Sequence, residues 1–373
     1  MVRIVPFAVE QWMDEYETTP EVLNVAETCA ASISIDDLVG MCTDAKTPGP
    51  IDTSIKLTYG AISGSPLLRE RIAANCSDEG TRLAADDVVV TQGAIGANFL
   101  ALYSIGAEVT LWKLKEEENF VPNTDDLAGM IQKNTKMIII NNPNNPTGVP
   151  IPNSVLKRIA QIAQEKDIIL FSDEVYRPLF HGGASGEMEV PQPATTLGYK
   201  KSIVTGSMSK GYALAGIRVG WIASKDKSII SSVMAARDYT TISVSQIDDQ
   251  IAKYALSPAV LPSLVDRNLT LARTNSRLVK EFIARYKSVC SWVEPTAGTT
   301  AFVRFSKDGK PVNDVDFCLD LLRKHNVLLV AGSKCFGSDK DFKGYVRMGY
   351  VCETEVLVEG LKRLGACIES NLL

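Results

Sequence analysis

The residues with the clearest chemical potential lie between Lys201 and Trp221, in the sequence KSIVTGSMSKGYALAGIRVGW. Ser207, Ser209 and Lys210 follow a short apolar run, and Arg218 comes shortly after the lysine. A lysine that forms a Schiff base needs neighbours that fix its geometry and keep its amine available. A phosphate is bound by hydroxyl donors and a guanidinium fork. The spacing suits both chemistries, and it also suits a solvated turn, because serine and lysine are common in loops.

Two upstream segments must position this loop. Residues 137–148 read MIIINNPNNPTG, and residues 168–176 read IILFSDEVY, so each is a short apolar run that ends in polar residues. Such runs are typical of strands in a buried parallel sheet, and ligands on these sheets bind beyond the carboxyl ends of the strands. The residues expected to converge on one crevice are Asn145, Asp173, Tyr176 and Lys210.

This set, in this order, resembles the class I and II aminotransferase family of fold type I pyridoxal 5'-phosphate (PLP) enzymes. The resemblance runs from about Tyr59 to Arg347. It implies that Lys210 is the internal-aldimine lysine and that Asp173 pairs with the pyridine nitrogen of the cofactor. A carboxylate there keeps the nitrogen protonated, so that the ring can withdraw electrons from the substrate α-carbon.

The resemblance also assigns the rest of the cofactor site. Asn145 and Tyr176 are expected to contact the 3-hydroxyl of the ring. The strand that begins at Asp87 leads into a glycine-rich helix start, where free N–H groups favour a phosphate. The residues expected at the phosphate are Ala94, Ile95, Ser207, Ser209 and Arg218, together with Tyr59 from the neighbouring subunit of a homodimer.

Two charged residues are candidates for substrate binding, together with Asn145. Arg347 is centred in an apolar run, where burial is costly without an anion, and a carboxylate or a structural ion pair would satisfy it. Its position resembles that of the family's arginine for the substrate α-carboxylate. Glu27 is either a helix cap or solvated acid, or part of a substrate loop, since Ala26-Glu27 resembles the Ala-Glu of 1-aminocyclopropane-1-carboxylate synthases.

Composition excludes several other classes of protein. The chain has 373 residues, a net charge of -5 and 45% hydrophobic residues, which argues against nucleic acid as a partner and against a membrane span. Eight cysteines without a C-x-x-C pair and two histidines give no metal motif and no multi-histidine site. We therefore expect a cytoplasmic protein with reduced thiols and no metal.

The pattern of elements predicts an α/β fold of the PLP-dependent transferase type I. A large domain with a mostly parallel central sheet is expected at residues 46–260. Residues 1–45 are expected to form an N-terminal arm and part of a smaller α+β domain, and residues 261–373 a bridging helix and the rest of that domain.

One interval departs from the family pattern. After Tyr103 the chain runs directly into an expected strand, Ala107 to Trp112, where the family usually inserts another strand and a loop whose aromatic residue stacks on the cofactor ring. Either a segment is absent from this sequence or the protein lacks it. Tyr103, Trp112 and Phe120 are the possible replacements, each with core or surface packing as the alternative role.

The sequence thus predicts a PLP-dependent aminotransferase that acts on an amino acid by Schiff-base exchange at Lys210. One alternative is a PLP-dependent lyase or cyclase, of the capreomycidine synthase type, which eliminates a γ-group or closes a ring on S-adenosylmethionine or an arginine derivative. The other is a catalytically silent binding protein with the same fold, which the short interval would explain.

Overall fold

The computed structural model describes residues 6–102, 108–183 and 185–373; Tyr103 and Ala107 lie outside the described residues. The helices in this part of the chain are α1 (Ala8–Tyr16), α2 (Ile35–Gly40), α3 (Pro66–Asn75), α4 (Gly93–Leu102), α5 (Thr124–Met130), α6 (Asn153–Glu165), α7 (Lys227–Arg237), α8 (Gln246–Ala255), α9 (Leu261–Arg285), α10 (Asp314–His325), α11 (Gly332–Phe336) and α12 (Thr354–Asn371). The strands are β1 (Leu23–Asn24), β2 (Val88–Gln92), β3 (Met137–Asn141), β4 (Ile169–Asp173), β5 (Ser202–Ser207), β6 (Val219–Ala223), β7 (Cys290–Trp292), β8 (Thr300–Lys307), β9 (Lys310–Pro311), β10 (Val327–Leu328), β11 (Val330–Ala331) and β12 (Tyr345–Gly349).

The central sheet has the strand order β2-β6-β5-β4-β3. β3, β4 and β5 pair in parallel, whereas β6 is antiparallel to both β5 and β2. Four of these five strands therefore run in one direction, as the mostly parallel prediction required. The carboxyl ends of β3, β4 and β5 meet at one edge, and the segments that follow them carry Asn145, Asp173 and Lys210.

Helices cover the central sheet because each presents an apolar stripe to it. α6 is an example: Leu156, Ile159, Ala160 and Ala163 recur at helical spacing and are buried. They join the side chains of β3 and β4 in one core. This packing fixes the height at which the strands end, and with it the position of the polar residues beyond them.

The N-terminal residues pack against the C-terminal sheet, whose strand order is β11-β12-β8-β7. β1 pairs in parallel with β10, which joins residues far apart in the chain. The indole of Trp12 donates a hydrogen bond of 2.9 Å to the Leu329 carbonyl. This pairing carries residues 26–30 towards the edge of the central sheet. The domain bounds at residues 45 and 260 stay a prediction.

The strand expected from Ala107 to Trp112 is wrong for the residues that the structure describes, because residues 108–112 form no strand. Val109 and Leu111 are 74% and 68% exposed. A β-prone alternation gives a strand when an edge pairs with it and one face is buried. Residues 108–112 bury neither of these apolar side chains, so packing does not stabilise a strand here.

A buried pair, His181 and Tyr350, links the loop after Tyr176 to the end of β12. Gly183 donates its N–H to Nδ1 of His181, so the ring proton sits on Nε2 and is donated to the Tyr350 hydroxyl over 2.6 Å. Burial is the main cause that lowers the pKa of His181, to about 4, and Arg273 adds to it. The imidazole is therefore neutral in the folded protein near neutral pH.

We expect this histidine to make stability depend on pH. In the unfolded chain it takes up a proton as the pH falls through about 6.5, whereas the folded protein resists protonation until about 4. The free energy of unfolding should therefore fall by up to about 3 kcal/mol across that range. Urea unfolding at several pH values measures this.

His325→Asn, which replaces the chain's other histidine, is the matched control and should keep the wild-type pH dependence. His181→Asn removes the titrating group and should flatten the curve between these pH values. An unchanged slope in His181→Asn would contradict the assignment.

Candidate active site

Lys210 lies three residues beyond β5, under the loop formed by residues 27–30. Its Nζ donates to Oγ1 of Thr28 over 2.5 Å. It also approaches Sγ of Cys29 at 3.4 Å and Oε1 of Glu27 at 3.8 Å. The N–H of Ala30 donates to the Lys210 carbonyl. The lysine is thus fixed at both its backbone and its amine.

The charges around this amine are unequal in kind. Burial acts to lower the pKa of Lys210; the groups of Tyr176, Cys29 and Glu27 outweigh it, and the pKa lies above its ordinary value. Burial raises the pKa of the Tyr176 hydroxyl and takes that of the Cys29 thiol to about 11, so both are neutral at neutral pH. Burial also acts to raise the pKa of Glu27, but Lys210 and the backbone N–H groups that Glu27 accepts lower it overall. Glu27 is therefore the carboxylate that balances the Lys210 ammonium.

Asp173 ends β4 and is held by two donors. Its Oδ2 accepts from Nδ2 of Asn98 at 3.0 Å, and its Oδ1 accepts from the N–H of Val175 at 3.1 Å. Burial raises the pKa of Asp173, while both hydrogen bonds oppose that effect. The sequence reasoning missed Asn98, although its position four residues after Ala94 places it on the same face of α4.

Asn145 and Tyr176 lie beside the same edge. The N–H of Asn145 donates to Oδ1 of Asn141, whose Nδ2 donates to the Asp173 carbonyl. Tyr176 is buried, and a methyl group placed on Gly298 would lie 3.6 Å from its ring. Both polar groups are held by the ends of β3 and β4 rather than by a free loop.

Two serines and an arginine form an anion-binding cup next to Lys210. Oγ of Ser207 donates to Oγ of Ser209 over 2.7 Å and accepts from the Ser209 N–H. Nη1 of Arg218 reaches Oγ of Ser209 at 3.5 Å. Hydroxyl and guanidinium donors at this spacing suit a phosphate.

The start of α4 closes the other side of the cup. The N–H of Gly93 donates to the Arg218 carbonyl, and a methyl group on Gly93 would lie 2.9 Å from Nη2 of Arg218. A methyl group on Gly220 would lie 2.3 Å from the backbone of Gly93, so the two glycines allow the strand and the helix start to meet. The first-turn N–H groups of α4, including those of Ala94 and Ile95, are free of intrahelical partners.

Arg347, in the middle of β12, is buried without a carboxylate partner. Nη2 donates to the Ala26 carbonyl at 3.0 Å, and Nη1 reaches Oδ1 of Asn145 at 3.4 Å. Nε has no hydrogen-bond partner, and the guanidinium lies over the Phe336 ring at 5.5 Å. Burial lowers the pKa of Arg347. A buried cation with an open donor favours an incoming carboxylate.

Three predicted aromatic residues stand apart from this group. Tyr59 is 80% exposed, away from the buried edge that holds the others. Phe120 belongs to a core cluster, with its ring 6.3 Å from those of both Phe302 and Tyr345, so packing is its role. Trp112 is half-buried against the central core. None of the three contacts Lys210 or Asp173 by a described hydrogen bond or ring contact.

Comparison with known proteins places this geometry in one family. Residues 101–364 match the family model for aminotransferases of class I and II. Capreomycidine synthase of Streptomyces vinaceus is 29% identical over 276 residues, which are 74% of this chain and 67% of that protein. An aspartate aminotransferase of Pyrococcus horikoshii is 27% identical over 345 residues, 84% of this chain and 83% of that protein.

Solved structures agree with this assignment. A PLP-dependent aminotransferase from Streptococcus suis is 31% identical and superimposes with a TM-score of 0.86 over 99% of each chain. The PLP-dependent cyclase OrfR has a TM-score of 0.82 at 22% identity over 99% of this chain and 98% of its own, which is a likeness of fold.

The protein is a fold type I PLP-dependent enzyme. More particularly, the chain belongs to the class I and II aminotransferase family, and PLP is its cofactor. The donor set fits this group, since an anion cup, a carboxylate and a lysine amine lie along one sheet edge.

Two further observations concern the described residues only. None of the helices in residues 6–102, 108–183 and 185–373 is long and apolar enough to cross a membrane. In the same ranges, no group of three or more His, Cys, Asp or Glu side chains could hold a metal ion.

Proposed function

We propose that this enzyme transfers the amino group of an amino acid, with PLP attached to Nζ of Lys210. The carrying observation is the juxtaposition of an anchored amine and a buried arginine that has no carboxylate. Lys210 bonds Thr28 and Arg347 bonds Ala26, so one short loop segment holds both cations at the same place.

The remaining polar residues would hold the cofactor. PLP, when bound, withdraws electrons from the α-carbon of an attached amino acid and so makes its proton acidic. Asp173 would face the pyridine nitrogen, with Asn98 fixing the direction of its carboxylate. Asn145 and Tyr176 would contact the ring hydroxyl. The phosphate would be bound by Ser207, Ser209, Arg218 and the N–H groups of Ala94 and Ile95.

The substrate would be oriented and deprotonated by two side chains. Arg347 would bind the α-carboxylate, aided by Asn145, and would thereby fix the direction of the α-C–H bond. Once released by the substrate amine, Nζ of Lys210 would take the α-proton and return it to the neighbouring carbon as acid and base. Thr28 lies within hydrogen-bond distance of that nitrogen and would hold it in place during the transfer.

A half-reaction without an acceptor tests this proposal. Purified enzyme loaded with PLP is mixed with single amino acids, and the visible absorbance is followed. An aminotransferase should pass to the pyridoxamine form and hold it until a keto acid is added. A protein that binds PLP and never changes its spectrum would be a silent binder, contrary to the proposal.

A lyase or cyclase is the second candidate function. Its support is the similarity to capreomycidine synthase of Streptomyces vinaceus over 74% of this chain. The same experiment separates it from transamination, because a lyase or cyclase returns to its starting spectrum without a keto acid. Mass spectrometry of the amino-acid product would then identify the group lost or the ring formed.

We propose that the enzyme works as a homodimer, because a set of large apolar side chains around Tyr59 faces solvent. Its members with their exposures are Ile55 (42%), Leu57 (71%), Tyr59 (80%), Ile62 (49%), Tyr239 (88%) and Ile242 (41%). Gln246 donates to the Thr58 carbonyl, which joins the two segments that carry them. A second copy would cover this surface.

Light scattering should therefore give twice the chain mass of 40.5 kDa. If Tyr59 reaches the phosphate of the other subunit, Tyr59→Phe should weaken PLP affinity by about tenfold or more, the usual effect of losing one hydrogen bond to a charged group. Equilibrium dialysis measures this. A monomer with full PLP affinity would contradict the proposal.

We propose a cytoplasmic location on chemical grounds. All eight cysteines are free thiols, as expected in a reducing compartment. Fractionation of the producing cells with antibody detection tests this, and recovery from an oxidising compartment would overturn it.

A further inference from the structure

The charge inventory of the site leaves one group without a role. Arg347 is assigned to the substrate α-carboxylate and Asp173 to the cofactor ring, and Asp173 is already bonded by Asn98. The remaining charged side chain beside the amine of Lys210 is Glu27. The question is what it does once the enzyme is loaded.

Glu27 is anchored through one oxygen and open at the other. Its Oε1 accepts the N–H of Thr28 at 2.6 Å and that of Cys29 at 3.1 Å. Oε2 makes no hydrogen bond with any residue that the structure describes, and the side chain is 44% exposed. The carboxylate therefore has a fixed position and a free oxygen at the mouth of the site.

The backbone around this carboxylate is equally constrained. The N–H of Glu27 donates to Oδ1 of Asn24 at 3.1 Å. A methyl group on Gly349 would lie 1.7 Å from the Glu27 carbonyl oxygen, so β12 passes directly beside the loop. Because β12 also carries Arg347, Glu27 keeps a fixed relation to the place where the α-carboxylate would bind.

Loading the enzyme removes the counter-charge of Glu27. Within the described ranges, the cation within 4.0 Å of this carboxylate is Lys210. The amine of Lys210 is the proposed attachment point of PLP, so it no longer faces Glu27 as a free ammonium. A half-buried carboxylate without a cation is unfavourable, and a cation on the substrate would restore the balance.

The opposite kind of substrate has no matching partner. A dicarboxylic amino acid needs a second cation for its side chain, and Arg218 is already directed to Ser209 in the anion cup. Its side-chain carboxylate would instead meet the negative charge of Glu27. The site is therefore unlike one built for aspartate.

We propose that Glu27 forms a subsite for a cationic group on the substrate side chain, so that the preferred substrates are amino acids carrying an ammonium or guanidinium group. This rests on the proposed function and narrows it to one substrate class. The free Oε2 accepts a hydrogen bond from the cation, and the anchored Oε1 keeps the carboxylate in position.

Arginine and citrulline are the matched probes, because they differ mainly in the charge of the terminal group. Apparent dissociation constants are obtained from absorbance titrations of the PLP-loaded enzyme, with ornithine and lysine testing shorter cationic chains and aspartate testing an acid. Wild-type enzyme should bind the best cationic amino acid about tenfold or more tightly than citrulline, a factor within the range of one charge-assisted hydrogen bond. Added salt should weaken binding of the cationic probe and leave citrulline unchanged.

Glu27→Gln should abolish this preference and the salt effect while leaving citrulline binding within about twofold. Glu355→Gln removes the same charge from the exposed first turn of α12 and should behave as wild type. Glu27→Asp keeps the charge and shows whether the carboxylate or only its packing matters. Thermal melting and PLP content confirm that each variant folds and loads.

Two outcomes would overturn the inference and leave the proposed function standing. One is tight binding of aspartate that Glu27→Gln does not change. The other is an equal weakening of all probes by Glu27→Gln, which would mean that Glu27 acts through Lys210. If no amino acid changes the spectrum of loaded wild-type enzyme, the proposed function itself fails and the inference fails with it.

Discussion

Lys210→Ala is expected to reduce turnover by at least about 10⁴-fold, the upper range for the loss of one acid–base group, because it also removes the covalent attachment of the cofactor. The residual protein should still bind PLP through the anion cup, since Ser207, Ser209 and Arg218 do not depend on the lysine amine for their contacts. Borohydride reduction of wild-type enzyme followed by peptide mapping should place the label on Lys210.

A matched control is Lys201→Ala. Lys201 pairs with Asp167 on the surface, outside the site, and its loss should leave turnover unchanged. Small primary amines should partly restore proton transfer in Lys210→Ala, because they can occupy the space beside Thr28. A Lys210→Ala protein with full turnover, or a borohydride label on another lysine, would refute the proposed role.

Much of the site geometry could be read from the sequence because it follows from one rule of sheet construction. Parallel strands end at a common edge, so polar residues just beyond them must lie together. The structure brings Asn145, Asp173 and Lys210 to that edge beyond β3, β4 and β5. Their chemical roles remain predictions that the experiments above address.

Other features depend on contacts that no local pattern carries. Thr28 reaches Lys210 because β1 pairs with β10, which joins strands about 300 residues apart in sequence. The position of Glu27 beside Lys210 follows from the same pairing. Asn98 was within reach of sequence reasoning, since helical spacing from Ala94 points it at the sheet edge. Its partner Asp173 became evident with the packing of α4.

The failed strand at residues 108–112 has a different origin. Its alternation of apolar and polar residues is typical of a strand, but Val109 and Leu111 are exposed. A strand needs a neighbour as well as a pattern. Tyr59 teaches the converse: its exposure is unexplained within one chain, and a resemblance to dimeric relatives is what gives it a proposed partner.

Arg347→Met is expected to separate stability from function. The guanidinium is buried, its Nε has no partner, and no carboxylate balances it within the described residues. Replacing a buried unpaired cation with an apolar side chain of similar length should raise the free energy of unfolding of the cofactor-free protein by about 1 kcal/mol or more. Urea unfolding measures the change.

The same substitution should weaken the half-reaction by about 10² to 10³-fold in kcat/KM, since losing one partner of a buried charge pair costs about 2–5 kcal/mol. Arg347→Lys should recover only part of this loss, because an ammonium cannot form the bidentate contact with a carboxylate. Arg304, which pairs with Glu116 at 3.4 Å, provides the control. Arg304→Met should affect neither the half-reaction nor the affinity for amino acids. If Arg347→Met lost stability and kept its affinity for the substrate carboxylate, the arginine would be a structural ion-pair residue rather than the carboxylate-binding one.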